Sequence, residues 1–166
     1  MADMAHFGPI HYSKVKSFKN TMEGHKFVQY MVGGHQILTE GDGGLITSVA
    51  TYEGPAYMTT TMTGLMDGHP MTTHLLVSHI PVDMDNFIIN FGVMMKKDPN
   101  ISEAGNKAMV EEYTEKNIES FHQDVAIWNN KCIIDNPLMC DGDGPIHLVR
   151  KWYSQFMTNV ADIREE

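Results

Sequence analysis

Cysteine is scarce in this chain: Cys132 and Cys140 are the only two in 166 residues. Two thiols cannot make a disulfide framework, and their scarcity suits a reducing compartment. Positive charge is scarce as well, with 12 Lys and Arg against 21 Asp and Glu and a net charge of −9. An acidic chain repels phosphate backbones, which argues against a nucleic-acid partner and against an anionic membrane surface. Long apolar runs are missing. The richest stretch, Phe87 to Met95, is interrupted by Asn90 and Gly92. It is too short to cross a bilayer, so no membrane span is expected. The opening Met1-Ala2-Asp3-Met4-Ala5-His6 has no basic stretch leading into an apolar one. No signal peptide is therefore expected, and the cytoplasm is the expected location. Repeats, low-complexity tracts and linkers are absent, and the length is that of one ordinary domain spanning residues 1–166.

Several chemical motifs are also lacking. Gly41–Gly44 has no following Lys-Ser/Thr, so it is not a phosphate loop. Asp141-Gly142-Asp143-Gly144 lacks the spacing and final Glu of a calcium loop. No Ser or Cys sits in a nucleophile motif. What the chain has instead is 14 Met and 9 His. Met adapts to irregular cavities and ligand surfaces, but by itself its abundance reads first as a Met-rich core, and His permits a metal site where its spacing allows one.

The pattern of elements predicts an α+β fold. Residues 3–20 are mixed in polarity and read as a short helix at most, since Gly8-Pro9 opposes a regular one. Strand-like runs follow at Lys26–Met31, Gln36–Leu38, Leu45–Tyr52, Tyr57–Leu65, His74–Ile80 and Phe87–Lys96. Gly33-Gly34 reads as a turn or bulge, and Glu40–Gly44 as a hairpin turn. Hairpin-like spacing argues for an antiparallel sheet. Ser102 reads as the N-cap of a long helix running to about Lys131, in which Ile118, Phe121, Val125 and Trp128 form one apolar stripe. A last helix is predicted over His147–Val160. A curved sheet wrapped around a long helix leaves a cavity between them, a common place for an apolar ligand.

Asp124 is the most informative single residue. It lies three residues after Phe121 and four before Trp128, on the apolar face of the long helix. A carboxylate there is costly to bury unless it is paired, protonated or bound to a metal. The plainer alternative is an acid at the edge of the stripe, reaching solvent or an Arg. His6 and His11 lie about 140° apart on a regular helix, so they share a face only if the helix is distorted, and Gly8-Pro9 supplies a reason for distortion. The plainer alternative is two surface histidines. Taken together, His6, His11 and Asp124 are the residue types of the facial triad that holds ferrous iron and leaves positions open for O2 and substrate. A competing set, His69, His74 and His79, cannot converge on a strand, where an odd spacing alternates faces. One of them is left to line the cavity. His25, His35, His122 and His147 have no partner at ligand spacing and are read as structural.

Three segments resemble a known family. Asp3-Met4-Ala5-His6-Phe7-Gly8-Pro9-Ile10-His11 is similar to the iron-ligand segment of Rieske-type non-haem iron oxygenases. Phe121-His122-Gln123-Asp124-Val125-Ala126-Ile127-Trp128 resembles the segment that gives their third ligand. The tail, from Asp135-Asn136-Pro137 through Asp143-Gly144-Pro145 to Arg150-Lys151-Trp152-Tyr153, resembles the steroid-hydroxylating branch, the 3-ketosteroid 9α-hydroxylases.

The resemblance implies a helix-grip (START-like) catalytic domain with mononuclear Fe(2+) on His6, His11 and Asp124. It implies that Asp3 is the carboxylate bridging the iron ligands to a neighbouring subunit's cluster in a homo-trimer. Phe121 and Trp128 would line the pocket for an apolar, steroid-like or aromatic substrate, hydroxylated with O2. The family's chains begin with a Rieske domain, whereas this one starts almost at the first ligand motif, and Cys132 and Cys140 do not form a cluster motif. The expectation is therefore no [2Fe–2S] cluster in this chain, with electrons from a separate Rieske or reductase protein. The rival expectation is a helix-grip protein that binds a sterol or other hydrophobic ligand without catalysis.

Overall fold

A computed structural model describes residues 5–35, 44–66, 69–83, 85–159 and 162. A single-turn helix α1 (Phe7–His11) leads into six strands, β1 (Ser13–Glu23), β2 (Lys26–His35), β3 (Ile46–Glu53), β4 (Tyr57–Met66), β5 (His69–Pro81) and β6 (Phe87–Met95). Helices α2 (Glu103–Trp128) and α3 (Ile146–Tyr153) follow, the latter running into a 3-10 turn at Ser154–Phe156. The strands pair antiparallel in chain order, β1-β2-β3-β4-β5-β6, as is usual for strands consecutive in sequence.

Two expectations need correction at the N-terminal end. Helix is confined to Phe7–His11, and residues 13–20 belong to a strand. That strand escapes a pattern reading because a bulge between Val15 and Ser17 breaks its period of two. It also carries exposed Lys14, Lys16 and Lys19, as befits a sheet edge, where charge discourages pairing with another chain. Of the two readings of Gly33-Gly34 the turn fails and the bulge holds: the pair lies within β2, facing the β1 bulge, with Gly33 opposite both Val15 and Ile46. A Cβ on Gly33 would stand 2.7 Å from the Lys14 carbonyl oxygen, so the close approach of β1 requires glycine. Gln36–Leu38 and most of the Glu40–Gly44 turn lie outside the described residues.

One face of the sheet supplies the core: Phe27, Ala50, Leu75 and Val77 are buried on it, and Trp152 of α3 packs over Phe27. Helix α2 starts as expected, with Ser102 Oγ accepting from the Gly105 N–H at 3.1 Å. It lies over the same sheet face, but no residue of it is fully buried. Three ties hold it. The Asn106 amide exchanges hydrogen bonds with the Asp98 backbone at 2.8 and 3.0 Å. The Thr73 and Tyr113 hydroxyls share one at 3.1 Å. The Phe91 and Phe121 rings meet at 4.8 Å. Ile118 departs from the expected stripe and is 43% exposed. The helix thus arches over the sheet and leaves a cavity of about 670 Å³ beneath it. The last helix is shorter than expected, because regular α-helix stops at Tyr153.

Candidate metal centre

The cavity wall carries His6, His11 and Asp124, brought together from opposite ends of the chain. His6 caps α1 and His11 ends it; the turn is closed by the Ile10 N–H on the His6 carbonyl at 2.9 Å. Pro9 is tolerated because it sits in the first turn, where its missing N–H has no helical partner to lose. Tyr12 then adopts a left-handed φ of 50° and turns the chain into β1. In this one-turn helix the two imidazoles do not diverge as on a regular one. Their centroids are 5.1 Å apart, edge to face.

Asp124 projects from α2 between them. Its Oδ1 lies 3.0 Å from His11 Nε2 and 3.8 Å from His6 Nε2. The ligand atoms of the three residues all fall within 4.8 Å of one another. The alternative of an edge acid reaching an Arg is not what the structure has. The Asp124 side chain is 18% exposed and faces the two histidines.

The donor set suits a divalent transition metal. Bonds of about 2.1 Å at near right angles put neighbouring donors about 3 Å apart, the scale of the separations here. The other nitrogen of His11 is informative. Its Nδ1 lies 3.1 Å from Gln123 Oε1 and 3.2 Å from Ser120 Oγ. An amide oxygen can only accept, so this contact suits the tautomer with the proton on Nδ1. Nε2 of the neutral ring then turns a lone pair toward the Asp124 carboxylate at 3.0 Å. In that tautomer a cation between Nε2 and the carboxylate satisfies both acceptors, so the residues present fit a metal ion.

The rest of the cavity is mainly apolar. Phe121 and Trp128 line it from α2, their rings 6.3 Å apart, and Met31, Met58 and Met62 line it from the sheet. Flexible thioethers give such a wall room to adapt. Buried Gln29, Ser48 and Thr60 add polar points among them. Tyr52 stacks on His79 at 5.9 Å and an interplanar angle of 16°. Burial, with Tyr153 nearby, pushes the Tyr52 hydroxyl up to about 12, and burial lowers His79 below the ordinary histidine range.

The competing histidines fall as strand geometry requires. His79 lines the cavity, while His74 is exposed and bonds Thr61 at 3.0 Å. His25, His122 and His147 are exposed. Among the described residues, His6, His11 and Asp124 are the one group arranged for a metal. Asp3 lies outside the described residues. Sequence reasoning passed over Ser120 and Gln123. Ser120, four residues before Asp124 on one helix, carried a spacing signal, whereas Gln123, adjacent to Asp124, carried none.

Fold and site together define an α+β protein with an apolar cavity and a two-histidine, one-carboxylate cluster on its wall. Residues 1–157 match the family described as 3-ketosteroid 9alpha-hydroxylase C-terminal domain, and the chain belongs to that family. It is 39% identical over 172 residues to a 3-ketosteroid-9-alpha-monooxygenase oxygenase component of Rhodococcus rhodochrous, covering 100% of this chain and 44% of that one. It is 35% identical over 171 residues to the protein of that name from Mycobacterium tuberculosis, again covering 100% and 44%. A shorter match, 53% identical over 38 residues, links 23% of this chain to 9% of the cholesterol 7-desaturase of Caenorhabditis elegans. The chain thus spans less than half the length of the oxygenase components it matches. No helix among the described residues is long and apolar enough to cross a membrane.

Proposed function

We propose that residues 1–166 form the helix-grip catalytic domain of a mononuclear non-haem iron oxygenase. His6, His11 and Asp124 would hold ferrous iron, and an apolar, steroid-like or aromatic substrate would lie in the cavity. The single observation that carries this reading is the convergence of two imidazoles and one carboxylate on the wall of an apolar cavity. When bound, the iron supplies O2 activation and the insertion of one oxygen atom into a substrate C–H bond. The chain's own residues bind, orient and exclude water. The donors come from α1 and α2, so the sheet side of the cavity is free for substrate. Phe121 and Trp128 offer ring faces to it, and the methionine wall keeps water away and strengthens charge interactions at the site. Electrons would come from a separate Rieske or reductase protein. Asp3 is the proposed bridging carboxylate toward a neighbouring subunit's cluster in a homo-trimer, and the cytoplasm is the proposed location.

The test is the iron content of anaerobically purified protein beside Asp124→Ala. Near-stoichiometric iron in the parent and its loss in the variant are expected. Without an electron donor the chain should turn over little. Absence of iron even after ferrous reconstitution would overturn the oxygenase reading.

One observation favours a second reading, a sterol-binding protein without catalysis. His11 and Asp124 approach to 3.0 Å, close enough to satisfy each other as an ion pair with no metal. That reading predicts equal sterol binding by the parent and Asp124→Ala, with iron in neither.

A further inference from the structure

Ser120, Gln123 and Asp124 stand within about 100° of one another on a single turn of α2. Asp124 faces the two imidazoles, whereas Ser120 and Gln123 meet the far nitrogen of one of them. We propose that Ser120 and Gln123 are positioning residues that fix the tautomer and ring plane of His11, so that one helical turn supplies a metal ligand and the groups that aim another. This rests on His6, His11 and Asp124 being the metal ligands.

The geometry carries the assignment. Gln123 Oε1 lies 3.1 Å and Ser120 Oγ 3.2 Å from His11 Nδ1, and Asp124 Oδ1 lies 3.0 Å from His11 Nε2. Both ring nitrogens are thus engaged by the same turn of α2. Acceptors at Nδ1 hold the proton there and keep the Nε2 lone pair directed at the cavity side. They also stop rotation about the Cβ–Cγ bond, which would exchange the two edges of the ring. His11 needs this support because its backbone anchor is weak. It ends a helix of five residues and precedes a left-handed Tyr12. His11 is itself only 13% exposed, so water is a poor substitute for the lost acceptors. Partners of this kind, hydrogen-bonded to a ligating imidazole, raise ligand basicity and hold orientation, and their loss costs about 10- to 100-fold in metal affinity.

The experiment uses Co(II), a visible stand-in for ferrous iron, titrated against a competing chelator. Four proteins are compared: the parent, Asp124→Ala, and the paired variants Ser120→Ala/Gln123→Leu and Ser120→Ala/Gln123→Glu. The two paired variants differ in whether residue 123 can accept a hydrogen bond, and Gln123 is exposed, so both should fold; circular dichroism checks this. The parent should bind Co(II) and Asp124→Ala should not. The Leu pair should bind about 10- to 100-fold more weakly with altered ligand-field bands. The Glu pair should recover both affinity and bands. Equal affinity and identical bands in the parent and both pairs would overturn the positioning role and leave the metal site standing. A parent that takes up no Co(II), or one matched by Asp124→Ala, would overturn the metal reading and the positioning role with it.

Discussion

The two flanks of the sheet face are packed in opposite ways. At one, Trp152 is 3% exposed, with the rings of Phe27, Tyr52 and Phe156 centred 5.6, 6.0 and 5.1 Å from it. At the other, α2 buries no residue completely and roofs a cavity of about 670 Å³. Both flanks use aromatic residues against the same sheet, Trp152 on Phe27 and Tyr52 of β2 and β3 and Phe121 on Phe91 of β6, so composition does not separate them. Polar placement does. A carboxylate and two imidazoles cannot be enclosed in a filled apolar core without a large desolvation cost. The flank that carries them is held off the sheet, and the filled flank supplies the stability that the open one lacks.

The strongest way to break this contrast is truncation on each side. Trp152→Ala should cost about 3–5 kcal/mol in urea unfolding, because a filled aromatic corner cannot collapse around the void. Phe121→Ala should cost less than half of that, since its ring already borders open space, and should change ligand binding instead. Equal losses would mean that the roof is packed as tightly as the corner. A smaller effect sharpens the picture of the floor. Gly33→Ala should cost about 1–3 kcal/mol through the clash with the Lys14 carbonyl, read from the same unfolding curves. An unchanged midpoint would show that β1 yields easily.

The smallest effect is silent at neutral pH. Tyr52 has its hydroxyl raised to about 12 in the fold, against about 10 in the unfolded chain. The group is neutral in both states below pH 10 and contributes fully there. As pH climbs from about 10 to 12 the unfolded chain ionises first, so stability is lost across that window. Tyr52→Phe should flatten this part of the stability profile. A parallel loss in parent and variant would place the ring in contact with solvent.

Much of this was legible along the chain because its causes are local. The Ser102 cap, the turn signals between strands and the apolar spacing around Asp124 each involve residues within a few positions of one another. The antiparallel order is the usual one for strands consecutive in sequence. Residues 13–20 were misread because a bulge and three lysines hide a strand's alternation. The residue types that meet at His6, His11 and Asp124, and a resemblance naming them, were visible in sequence. What the sequence by itself determined, then, was the kind and order of the elements from β2 onward, and the candidate donors.

Tertiary structure alone decided which donors meet. His11 and Asp124 are 113 positions apart, and their 3.0 Å approach depends on how α1 and α2 lie against the sheet. The contacts of Ser120 and Gln123 with His11 and the separation of His74 from His79 are likewise matters of direction in space. The cavity is the clearest case. The order of elements implied a space between sheet and helix, but its volume and the side chains that line it are set by how far α2 stands off the strands. The cavity exists because a few specific ties suspend α2 above the strands while the Trp152 flank closes on them.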